Sequence, residues 1–128
     1  MERILPRPLN PIDSSRIAAV DRMDPDAIAA ELVSTLGAKI TAAAGGVEAT
    51  RLVREWIAKE RKPTRPTALA TALKAARIIG DRDGEIVAQR WFVGTNHFLD
   101  HRSPLEVLAE NTAEGRTLVM RAAVAFAE

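Results

Sequence analysis

Cysteine is absent from this 128-residue chain, so no disulfide and no thiolate metal site can form. Tyrosine is absent too, and aromatic residues make up only 4% of the chain. A sheet core relies on aromatic and β-branched faces, whereas this chain draws much of its 47% hydrophobic content from alanine, which suits closely packed helices. The expected class is all-α. No apolar run approaches the ~20 residues that span a bilayer, and the N-terminus lacks the apolar stretch of a signal peptide. No membrane association and a cytoplasmic location are therefore expected. There is no P-loop and no GxGxxG, and Gly45-Gly46 is only a pair, so no phosphate-cradling loop and no cofactor is expected. At this length the chain supports one domain, or two small helical modules sharing a core.

The net charge of +1 conceals a strong asymmetry. Residues 1–50 carry five basic and seven acidic groups, and residues 78–128 carry five and eight. Between them, Arg51, Arg54, Lys59, Arg61, Lys62, Arg65, Lys74 and Arg77 face only Glu55 and Glu60, a local excess of six positive charges. A basic middle of this kind is the electrostatic footprint of a nucleic-acid partner.

Three prolines, Pro6, Pro8 and Pro11, interrupt regular structure near the start, and residues 1–23 are expected to form a mobile arm with a short helical piece over 14–21. Asp24-Pro25 then opens a helix whose Ile28, Leu32 and Leu36 form a stripe, and Gly37 stops it. Further helices are expected over 38–44, from 47 or 48 to about 60, over 67–80, over 84–93 and over 113–126, with a turn at 81–84 and an irregular loop at 95–102. Ser103-Pro104-Leu105-Glu106 is a capping box with proline at the first helical position, and it starts a short helix reaching about 110.

Residues 40–57 match the needs of a helix-turn-helix: a short supporting helix, a glycine turn and a second helix anchored by Leu52 and Trp56. Thr50 and Arg51 then lie at the end that normally meets base edges, with Arg54 one turn on. Lys59, Arg61, Lys62 and Arg65 form a basic segment suited to phosphate contacts. The plainer alternative is a helical hairpin with a solvated charged face. Toward the C-terminus, Phe92, Phe98, Leu99 and Phe126 are candidate contacts for a protein partner, since aromatic residues anchor interfaces, although each also suits a core. His97, Asp100 and His101 fall on a loop without further His, so neither a metal site nor catalysis is expected there, and the chain is not expected to be an enzyme. His101 and Arg102 are better suited as loop donors toward a neighbour or partner.

Trp91, Asn96, Leu99, Pro104 and Leu108, within WFVGTNHFLDHRSPLEVL, resemble the toxin-binding domain of Xre/MbcA/ParS-type antitoxins. Residues 36–63, with Val53-Arg54-Glu55-Trp56 before a basic stretch and Pro63, are similar to the helix-turn-helix that such proteins carry. The resemblance covers about residues 25–126 as an ordered series of elements. It implies an Xre-like DNA-binding domain over 24–80, a helical toxin-binding or dimerisation domain over 81–128, and a homodimer that autoregulates its own operon. It also implies a cognate toxin, of the RES type that attacks NAD, whose active site the C-terminal segment would obstruct; the residues expected to contact it are Phe92, Asn96, Phe98, Leu99, His101, Arg102 and Phe126. Two alternatives stay open: a transcriptional regulator whose C-terminal part only dimerises, and an adaptor that binds no DNA.

Overall fold

The computed structural model describes residues 12–128. The prolines at 6, 8 and 11, and with them the first eleven residues of the expected arm, lie outside the described residues. Eight α-helices are found among the described residues: α1 (Ser14–Ala19), α2 (Pro25–Leu36), α3 (Ala38–Ala44), α4 (Thr50–Ile57), α5 (Pro66–Asp83), α6 (Glu85–Val93), α7 (Pro104–Ala109) and α8 (Ala113–Ala127). Short 3-10 turns occupy Val20–Arg22 and His97–Leu99, and a single bridge joins Asn96 to Arg102. The chain is all-α, as its alanine-rich composition implies.

The short helical piece expected over 14–21 forms, as α1 and the 3-10 turn after it, but residues 12–23 depart from the expected arm because they carry their own anchors. The Asp13 side chain accepts from the Ser15 and Arg16 amides and starts α1. Val20 is fully buried in the common core, and Arg16 pairs with Asp81 on α5.

The eighteen-residue α5 runs through the middle of the molecule. It buries Leu69, Ala72, Leu73, Ala76 and Ile79 at spacings of three and four, and packs against α2, α6 and α8. The turn expected at 81–84 does not form. Asp81, Arg82 and Asp83 remain helical, and the chain breaks at Gly84 alone, with φ 92° and ψ 170°. Gly37 does the same between α2 and α3, with φ 91° and ψ 163°. That backbone region is open essentially only to glycine, so each residue ends one helix and begins the next without a loop.

A single hydrophobic cluster takes in Leu32 and Leu36 of α2, Val53 and Trp56 of α4, the buried face of α5, Phe92 of α6, Leu108 of α7 and Val119 and Ala123 of α8. The short α7 is fixed by its capping box. Ser103 Oγ accepts from the Glu106 amide at 3.1 Å, and the Ser103 amide donates to Glu106 Oε1 at 2.8 Å.

Candidate nucleic-acid interface and partner surface

Helices α2, α3 and α4 pack against one another as three short rods. The link between α3 and α4 closes when the Gly46 amide donates to the Ala43 carbonyl and the Val47 amide to the Ala42 carbonyl. Gly46 adopts φ 78°, while Gly45 sits at φ −84°, which any residue tolerates. Gly45 is required for space instead: a Cβ there would lie 2.5 Å from the Trp56 ring, which is buried against the turn. The large indole thus fixes the angle at which α4 leaves α3.

The expected third helix, 47 or 48 to about 60, is shorter at both ends. Ala49 is extended, with φ −85° and ψ 118°, so α4 begins only at Thr50. At the other end Lys59 takes a left-handed φ of 64°. Its amide donates to the Trp56 carbonyl and that of Glu60 to the Glu55 carbonyl, the paired bonds of a Schellman stop. Helix-breaking here comes from a lysine, which composition does not flag.

This stop folds the basic segment back along α4. Arg51 Nη1 donates to Glu55 Oε2 at 3.0 Å and Arg61 Nε to Glu55 Oε1 at 2.8 Å, so one carboxylate holds two guanidinium groups. The hydrogen bond from Arg61 chiefly holds the Glu55 carboxyl below its ordinary pKa against the opposing effect of burial, and the weaker contribution of Arg51 adds to it. Arg54 and Lys62 are exposed, and neither has an ion-pair partner among the described residues. Lys59 is also exposed and only 3.9 Å from Asp26. Thr50 is half-buried at the start of α4, where no side chain caps the helix.

Arg51, Arg54, Lys59, Arg61 and Lys62 thus remain on the surface around α4. Arg65, also expected to contact phosphate, is half-buried and set apart from them. Its Nη1 donates to the Ala109 carbonyl at 3.0 Å, and its side chain lies where a Cβ on Gly46 would stand. It ties the α4–α5 link to α7. Lys74 and Arg77 likewise turn to Asp21 and Glu31. Lys39, which the charge run over 51–77 does not include, lines an open groove with Val47, Glu48, Thr50 and Arg51. It is exposed on α3, the helix that supports α4.

At the other end of the chain the expected partner residues divide. Phe98 and Phe126 are 55% and 46% exposed and line one groove with Trp91, Asn96, His97 and Ala122. Phe92 and Leu99 do not qualify as surface contacts: they are 0% and 1% exposed, and Phe92 meets Trp91 edge to face at 5.0 Å. The apolar face of α6 turns inward and carries Phe92 with it, while the 3-10 turn folds Leu99 beneath the loop. Asn96 is half-buried and holds that turn, its Oδ1 accepting from the Phe98 amide at 2.9 Å. Arg102 is a brace, donating from Nε to the Leu99 carbonyl at 3.0 Å and pairing with Glu110. His101 is exposed, in a left-handed conformation beside a left-handed Asp100.

Two features here had no sequence signal. The Trp91 indole N–H is buried without an acceptor among the described residues. Ile86 and Val93, one stripe on α6, are 64% and 57% exposed. Arg82 Nη1 meanwhile donates to the Ala127 carbonyl at 2.6 Å and the Phe126 carbonyl at 3.3 Å, fixing the last turn of α8 and the root of Phe126. Among the described residues no three His, Cys, Asp or Glu side chains gather as a metal site would require, and no helix is long and apolar enough to cross a membrane. No protein-family model, curated protein or solved structure matches the chain.

Proposed function

We propose that this chain is a DNA-binding antitoxin, in which α4 enters the major groove of operator DNA and the surface around Phe98 and Phe126 engages a toxin. The observation that carries the DNA half is the set of five exposed cations, Arg51, Arg54, Lys59, Arg61 and Lys62, around a short helix held by a glycine turn. Arg65, Lys74 and Arg77 of the same run turn to Ala109, Asp21 and Glu31, whereas these five stay exposed around α4, Arg54 and Lys62 among them without an ion-pair partner among the described residues. The uncapped start of α4 adds free amides suited to a phosphate. As a homodimer, the protein would set two such helices about one turn of DNA apart.

The partner half rests on two half-exposed phenylalanines beside a groove, together with the resemblance of residues 91–108 to toxin-binding domains. The resemblance points to a RES-type, NAD-degrading toxin, and to a location in the cytoplasm. The chain itself supplies no catalysis in this scheme.

Two measurements test it. Binding to duplex DNA from upstream of its own gene should weaken steeply as salt rises; binding insensitive to salt, or none, rejects the DNA half. Co-expression with the product of the adjacent gene should yield a complex that survives purification. Recovery of the homodimer alone would favour a regulator without a toxin.

A further inference from the structure

We infer that Glu55 is a built-in competitor of the DNA backbone, occupying Arg51 and Arg61 so that indiscriminate phosphate contacts gain little from either cation. The inference rests on the DNA-binding role proposed for α4. Its geometric basis is the sharing of one carboxylate by two guanidinium groups that approach from opposite ends of the helix and the chain after it. A helix-stabilising pair needs only Arg51, four residues before Glu55. Arg61 is brought in by the left-handed stop at Lys59, which directs the following residues back over the helix.

A phosphate that reaches Arg51 or Arg61 must displace a carboxylate already hydrogen-bonded there, exchanging one anion for another. Arg54 and Lys62 carry no such occupant and attract the duplex without this cost. Only a site offering more than phosphate, such as the paired acceptors of a guanine edge, would draw Arg51 away from Glu55. Glu55 thereby lowers affinity for arbitrary sequence more than for the operator, and acts as a specificity-determining residue.

The test compares wild type, Glu55→Gln and Glu55→Gln with Arg61→Ala on a duplex of about 30 random base pairs, by fluorescence anisotropy across a salt series. Glutamine keeps the shape and removes the charge. Glu55→Gln should bind this duplex roughly threefold to tenfold more tightly, with a salt slope steeper by about one unit. Removing Arg61 from that variant should return the slope to the wild-type value. Circular dichroism on each protein verifies that the helices are intact. Wild-type binding left unchanged by Glu55→Gln overturns the competitor role and leaves the DNA-binding role standing. Absence of binding by all three proteins overturns both.

Discussion

The Arg77 guanidinium meets the Glu31 carboxylate through two hydrogen bonds, Nε to Oε2 at 2.8 Å and Nη2 to Oε1 at 2.6 Å. This fork joins α5 to α2, and Arg77 also donates from Nη1 to the Arg16 carbonyl at 2.7 Å. Three separate stretches of chain are thus gathered on one side chain, which is 11% exposed. Charge-assisted pairs of this form are stronger than neutral ones, and removing either partner leaves the other poorly solvated.

The pair sets an acid limit. Hydrogen bonding from Arg77 holds the Glu31 carboxyl below its ordinary value of 4.5, outweighing the effect of burial. A group whose pKa is depressed on folding contributes fully above its unfolded value and loses that contribution as pH falls through the folded one. Below about pH 4.5 the melting temperature of the wild type should therefore fall faster than that of Glu31→Gln. Parallel melting curves in that range would show that the pair adds nothing to acid stability.

Two glycines should respond oppositely to alanine. At Gly45 the new methyl would stand 2.5 Å from the Trp56 ring, so Gly45→Ala should destabilise the fold by about 1–3 kcal/mol. At Gly80, inside α5, the nearest atoms are 4.0 Å away and the backbone is helical, so Gly80→Ala should stabilise by about 0.5–1 kcal/mol. Thermal melts of the two variants, shifted in opposite directions, are the expected result.

The phenylalanines separate core from surface. Phe92→Ala should cost about 3–5 kcal/mol, a large part of the stability of a domain this size. Phe98→Ala and Phe126→Ala should each change stability by only about 0.5 kcal/mol, yet reduce recovery of the co-expressed partner. Partner recovery that tracks the melting temperature across all three would indicate a purely structural role.

Arg54→Ala and Lys62→Ala should each flatten the salt dependence of DNA binding by about one unit without altering the melt. Arg65→Ala should do the reverse, lowering the melting temperature through the lost tie to Ala109 while leaving the salt slope close to that of wild type. Slopes equal to that of wild type for Arg54→Ala and Lys62→Ala would remove α4 and the segment after it from the DNA interface.

What the sequence disclosed follows from the range of each interaction. Pro25, Gly37 and the Ser103–Glu106 box act within a turn of helix, so the starts of α2 and α7 and the end of α2 could be read directly, although the Asp24 side chain at the head of α2 makes no capping bond. The spacing of Leu69, Leu73 and Ile79 likewise disclosed the buried face of α5. Partners far apart in the chain were hidden: Arg77 and Glu31 are 46 residues apart, and Arg65 reaches across 44 residues to Ala109. A charge run reads as one surface until folding assigns some of its members inward. The inward turn of Phe92 beside the outward Val93 was equally invisible, because α6 carries apolar residues on both faces.

The common cluster through α2, α4, α5, α6, α7 and α8 has a practical consequence for dissecting the molecule. A fragment ending near residue 83 would lay bare the flank of α5 that α6 and α8 cover, and would aggregate before it could report on DNA. Heating should melt the intact chain in one step, with both ends lost together. The two proposed activities can therefore be parted by single side-chain changes but not by scissors.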